Sequence, residues 1–88
     1  MSACEDLTAA PLDIEPLPPV DGCADCLAQG RRDWVHLRIC LDCGHIGCCE
    51  FSPQRHAIAH FHNSSHPVVR SYEPGEDWRW CYVHEVMG

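Results

Sequence analysis

The chain has 88 residues, eight of them cysteine, and a formal net charge of −7 with its histidines neutral. So short a chain holds one small domain whose core needs a staple of disulfides, metal or oligomerisation. All six basic residues are arginines. The acidic balance repels polyanions and anionic bilayers, so neither nucleic-acid nor membrane binding is expected.

Residues 1–22 read as an N-terminal arm. Glu5, Asp6, Asp13 and Glu15 stand there without a basic residue or the apolar run of a signal peptide, so a cytoplasmic location is expected. In that compartment cysteines read as metal ligands before disulfides. Pro16-Leu17-Pro18-Pro19 favours an extended path, and Asp21-Gly22 a turn.

Residues 23–88 form the domain proper. Asp33 to Ile39 alternates, with Trp34, His36 and Arg38 on one face and Val35, Leu37 and Ile39 on the other, which predicts a strand. Cys40 to Cys49 is turn-rich. Ser52-Pro53 reads as an N-cap followed by Pro at the first helical position, so a helix is predicted from Pro53 to Asn63. Val68 to Glu73 and Trp78 to Val86 read as strands around the Pro74–Asp77 turn. The expected fold is a small α+β domain: a twisted antiparallel sheet with one main helix.

Two CxxC pairs, Cys23/Cys26 and Cys40/Cys43, stand ahead of Cys48 and a histidine cluster. A two-residue spacer lets both thiolates of one tight turn reach a single tetrahedral ion. His56 and His60 lie four apart on the predicted helix and share a face, with His66 just beyond its end. Spacing leaves open whether they share one zinc or hold two. His62 points away from that face, and His36 and His45 read as bystanders. No Glu follows His56, so the HExxH motif of zinc proteases is absent. No nucleophile–base pair stands out either, and no enzymatic activity is expected.

Cys23-x2-Cys26, Cys40-x2-Cys43-x4-Cys48, His56-Ala57-x2-His60-x5-His66-Pro67 and Trp80-Cys81-Tyr82 together resemble the zinc finger of ubiquitin-specific proteases, in a stand-alone, bacterial-like version. The resemblance implies a RING-like cross-brace of two zincs. One is held by Cys23, Cys26, Cys48 and His56, the other by Cys40, Cys43, His60 and His66. Cys48 and Cys49 are neighbours that point opposite ways on an extended strand, which leaves Cys49 to packing. A third zinc, found in some members, would here use Cys4, Asp6, Cys81 and His84. Asp6 and His84 replace the family's His and Cys at those positions. As assigned, each set is four-coordinate and closed, hence structural.

The resemblance also implies a pocket that in ubiquitin-binding members takes a free C-terminal Gly-Gly. Trp80 and Tyr82 match its aromatics and share a face with Trp78. Arg38 stands where the family has a Trp, and Trp34 is the expected substitute. Glu50 stands where the family has an Arg, and it would repel a peptide carboxylate. The expected function is a zinc-binding, non-catalytic module for a neutral or basic protein or peptide segment, with weak or no affinity for the ubiquitin tail. The alternative is thiol-redox or metal-handling chemistry on the CxxC pairs and Cys49.

Overall fold

The computed structural model describes Leu7 and residues 14–17, 22–76 and 78–87. The elements that lie wholly within the described residues are two helices, α1 (Ala24–Ala28) and α2 (His56–Ser64), and five strands: β1 (Leu37–Cys40), β2 (Ile46–Cys48), β3 (Val68–Ser71), β4 (Arg79–Cys81) and β5 (Val86–Met87). The strands form one sheet in the order β2-β1-β3-β4-β5. Every neighbouring pair is antiparallel. The fold is therefore α+β, with α2 packed on β2 and β1 and α1 on β2. No helix among the described residues is long and apolar enough to cross a membrane.

Ile39, Leu41, Ile46 and Val68 are fully buried, and so are the side chains of Cys23, Cys26, Cys40, Cys48, Cys49 and Cys81. Sulfur thus makes up much of the interior, as expected where so small a chain relies on a staple. The arm contributes too. Leu7 is buried in the core, and its carbonyl accepts from Arg79 at 2.8 Å. Leu17 N donates to the Gly44 carbonyl at 2.9 Å. Gly44 has φ +81°, and any Cβ there would strike the Glu15 carbonyl, so the arm lies against a position that only glycine fills without strain.

Several elements depart from the sequence reading. The first strand begins at Leu37 rather than Asp33, because the Val35 N–H is drawn to Ser52 Oγ at 2.8 Å instead of a neighbouring strand. That same bond removes Ser52 as a helix cap. The helix starts at His56 instead of Pro53, with Arg55 in the left-handed region at φ 48° and no side-chain cap. A sulfur does the capping work: the His56 N–H donates to Cys48 Sγ at 3.2 Å. The third strand stops at Ser71. The predicted strand from Trp78 to Val86 is broken after Cys81 by a turn in which Glu85 N donates to the Cys81 carbonyl at 2.8 Å. Two short elements were unforeseen: β2, inside the stretch read as turns, and α1, capped by the Cys23 thiol accepting from Cys26 N at 3.4 Å.

Candidate metal centres and aromatic pocket

Among the described residues two groups of four donors come together: Cys23, Cys26, Cys48 and His56, all buried, and Cys40, Cys43, His60 and His66, of which Cys40 is buried. Within each group the ligand atoms lie within 4.8 Å of one another. In the first, His56 Nδ1 stands 3.2 Å from both Cys23 Sγ and Cys26 Sγ and 3.5 Å from Cys48 Sγ, and the Cys26 and Cys48 sulfurs are 3.9 Å apart. In the second, Cys40 Sγ lies 3.5 Å from His66 Nδ1 and Cys43 Sγ 3.3 Å from His60 Nε2.

These spacings pass a simple test. A tetrahedral zinc with arms of about 2.3 Å to sulfur and about 2.05 Å to nitrogen sets S···S edges near ~3.8 Å and S···N edges near ~3.6 Å. The observed edges fall within a few tenths of an ångström of both.

Local hydrogen bonds set the ligand rotamers. The Cys40 thiol accepts from Asp42 N at 3.4 Å. Beyond α2, Ser65 takes φ 64°, and Ser64 Oγ accepts from His66 N at 3.2 Å while donating to the His60 carbonyl at 2.6 Å. That turn swings His66 back beside His60, ring edge to ring face at 5.4 Å. Burial pushes the Cys23 and Cys26 thiols up and the Cys40 thiol up to about 11. Burial, then the neighbouring His45 and His66, pulls His60 down. A neutral imidazole is the form that ligates metal, and a buried thiol gives up its proton only to a cation that replaces it.

Beside α2 lies a cavity of about 550 Å³. Arg38, Glu50, Phe61, Trp78, Trp80 and Tyr82 form much of its wall. The Arg38 guanidinium sits 4.5 Å above the Trp78 ring centroid. A Glu50 carboxylate oxygen is 3.8 Å away, with Arg38 8% and Glu50 53% exposed in their side chains. Phe61 stacks on Tyr82 at 5.1 Å. Burial, followed by the Glu50 charge, pushes the Tyr82 phenol up to about 12.

Residues 23–87 match the family described as "Zn-finger in ubiquitin-hydrolases and other protein", zf-UBP. The chain belongs to this family. It is 41% identical over 61 residues to ubiquitin carboxyl-terminal hydrolase 44 of Ailuropoda melanoleuca, a match covering 69% of this chain and 8% of that protein. It is 34% identical over 68 residues to the BRCA1-associated protein of Homo sapiens, covering 74% of this chain and 10% of the other. The chain thus spans a tenth or less of the length of these relatives. Among solved structures it is similar to protein RPA1320 of Rhodopseudomonas palustris. There the identity is 46% and the TM-score 0.84, over 99% of this chain and 81% of that one.

With its two Cys/His groups, this zf-UBP chain is a zinc-binding module suited to two zinc ions. Its donors alternate along the sequence, the first and third pairs forming one group and the second and fourth the other, which is the cross-braced arrangement. Cys49 is placed apart, fully buried with its sulfur 3.5 Å from Ser52 Oγ. Cys81 Sγ and His84 Nδ1 are 3.5 Å apart, while Cys4 and Asp6 lie outside the described residues.

Of the residues expected to bind a ligand, Arg38, Trp80 and Tyr82 line this cavity and Trp34 does not. The Trp34 ring lies over Gly22, where it would collide with any Cβ. The strand alternation that placed it beside Arg38 starts only at Leu37. Trp78 shares the pocket with Trp80 and Tyr82, and Phe61 and Ile58 of α2 close it from the helix side. His36 is exposed, 3.6 Å from Glu73. His45 is in neither donor group, but its ring stacks on His60 at 4.4 Å and its Nε2–H donates to Asp25 at 2.8 Å. Sequence spacing carries no signal for such a contact.

Proposed function

We propose that this chain is a non-catalytic interaction module, held together by zinc, that reads a neutral or basic segment of a partner protein in the pocket beside Arg38. One zinc is held by Cys23, Cys26, Cys48 and His56, the other by Cys40, Cys43, His60 and His66. Four protein donors at each leave no place for a reacting water, and zinc bound in this way supplies folding energy. Residues 23–88 make the domain and residues 1–22 an N-terminal arm, of which Leu7 and Leu17 contact the domain. The burial of Leu7 and the bond from Leu17 to Gly44 support that division. Both ligand sets need reduced cysteines, which favours a cytoplasmic location.

The observation that carries the ligand preference is the Arg38–Glu50 pair. Relatives named for ubiquitin hydrolysis prompt the question of a C-terminal carboxylate, and here the pocket's arginine already faces a carboxylate of its own chain. Glu85 adds a second acidic group to the wall. An incoming carboxylate must compete with Glu50 for Arg38, whereas the faces of Trp80 and Tyr82 accept apolar or cationic side chains. The thiol-redox alternative is disfavoured, because burial raises the thiols of Cys23, Cys26 and Cys40 and encloses Cys49.

Titration followed by tryptophan fluorescence tests this, since Trp78 and Trp80 both line the pocket. The probes are the ubiquitin tail peptide, the same peptide amidated, and a peptide with a lysine- or arginine-rich end. The free-acid tail should bind no tighter than its amide, and the basic peptide should bind best. Tight binding of the free acid, lost on amidation, refutes the proposal.

A further inference from the structure

We infer that His45 is a positioning residue that links the two metal centres into one loading unit. The inference rests on the ligand sets proposed above. Asp25 sits inside the Cys23–Cys26 turn of the first centre. His45 sits in the loop between Cys43 and Cys48, one ligand from each centre. Its Nε2–H donates to Asp25 Oδ2 at 2.8 Å, and its ring lies flat on His60, centroids 4.4 Å apart and planes 7° from parallel. One side chain therefore touches the turn of the first centre and a ligand of the second. A cleft of about 280 Å³ opens beside this junction, with Asp25, His45, His56 and His60 among its walls.

The backbone of His45 is itself fixed, because its carbonyl accepts from Cys40 N at 2.8 Å. The ring is thus held at both ends. Against it His60 keeps the orientation that aims Nε2 at Cys43 Sγ, 3.3 Å away. Outer partners that orient a metal-binding imidazole commonly change metal affinity by about ten- to a hundredfold when removed. An exposed histidine–carboxylate pair alone is worth little. Here the His45 side chain is 20% exposed and shares its face with a ligand ring, so the pair acts on the metal through His60.

Cadmium-substituted protein tests this by cadmium NMR. The three-thiolate and two-thiolate centres give separate signals, and metal loss from each is timed against a chelator. Asp25→Ala should displace the signal of the Cys40/Cys43/His60/His66 centre, although Asp25 neighbours only the other one. It should also speed metal loss from that centre roughly tenfold. Asp25→Asn, which keeps an acceptor for His45, should restore both readouts. His45→Phe keeps a ring on His60 but cuts the bond, so it should release the second metal faster while displacing its signal less. If Asp25→Ala does not fold, His45→Phe carries the test. Unchanged release from the second centre in either variant, or an effect confined to the first, overturns the inference. A wild-type protein without two separate signals would instead overturn the ligand sets.

Discussion

Gly47 lies in β2 between Ile46 and the ligand Cys48, where the first turn of α2 crosses the strand. A Cβ at this position would stand 2.6 Å from Ala57 N, 2.8 Å from Ala57 Cα and 3.0 Å from the His56 carbonyl carbon. All three are backbone atoms, so no rotamer change relieves the clash. Ordinary contact between such atoms begins near ~3.5 Å, which makes Gly47→Ala push the helix start away by roughly 0.8 Å. That turn carries His56, whose Nδ1 has sulfurs at 3.2, 3.2 and 3.5 Å. Metal–ligand distances tolerate about 0.2 Å, so the shift exceeds the tolerance of the first centre about fourfold.

Overpacking costs about 1–3 kcal/mol. Against it stands a gain of about 0.4–1 kcal/mol from stiffening the unfolded chain, since the glycine's φ is not positive. The net loss is up to about 2.6 kcal/mol before any weakening of zinc binding. Native mass spectrometry should show Gly47→Ala losing one zinc, or chelator should strip that zinc faster than from wild type. Gly30→Ala is the control: φ there is +74° with open space around it, so it costs about 1 kcal/mol of backbone strain and leaves both zincs in place. A Gly47→Ala protein with two zincs and unchanged chelator resistance refutes the steric reasoning.

Four further outcomes are expected. Cys48→Ser should lose a zinc or fail to fold, and Cys49→Ser should keep full metal content by mass spectrometry, because only Cys48 faces His56. Glu50→Gln should improve binding of a free-acid peptide, but not of its amide, by about fivefold in a fluorescence titration. At 3.8 Å a unit pair is worth about 1 kcal/mol in water, the limit that suits a carboxylate half exposed. Zinc uptake at pH 7 should release at least three protons per chain, seen as a calorimetric heat that varies with buffer ionisation. Burial raises the thiols of Cys23, Cys26 and Cys40, so they are protonated until zinc displaces the protons, and zinc affinity falls as pH falls. Leu7→Ala should cost about 2–3 kcal/mol in denaturant unfolding of the zinc-loaded protein, since Leu7 is 5% exposed within the core.

The donor residues were legible because metal ligation imposes short spacings: two residues within a CxxC turn, four along a helix face. Their partition was not, since His56 and His60 fit one ion as well as two by spacing alone. The hairpin settles it physically. In the antiparallel register Leu37 faces Cys48 and Ile39 faces Ile46, which sends Cys48 and Cys40 to opposite ends of the β1–β2 ladder. One helical turn, about 6 Å, spans most of the distance between those ends. The start of α2 was misread for a different reason. Ser52-Pro53 has the local chemistry of a cap, but Val35, 17 residues earlier, takes the serine hydroxyl. The placement of Trp34 and the contacts of His45 lie beyond local pattern alike: the end of a strand and the stacking of two rings depend on partners that no local period encodes.

The same hairpin ties the metal centres to the pocket. Leu37 and Ile39 of β1 enter the core, while Arg38 between them turns to the pocket. Beside Leu37, across the ladder, is a donor of the first centre, and the residue after Ile39 is Cys40, a donor of the second. The strand that presents Arg38 is therefore clamped at both ends by metal-binding turns. α2 clamps the opposite wall, since Ile58 and Phe61 line the pocket from the segment that carries His56 and His60. Neither wall has a large apolar core to fall back on among the described residues, where the fully buried aliphatic side chains are Ile39, Leu41, Ile46 and Val68. Losing either zinc frees one end of β1 and one end of the α2 segment together. The aromatic faces of Trp80 and Tyr82 then lose their fixed distance from Arg38, so under the proposed function peptide affinity should fall with the metal instead of surviving it.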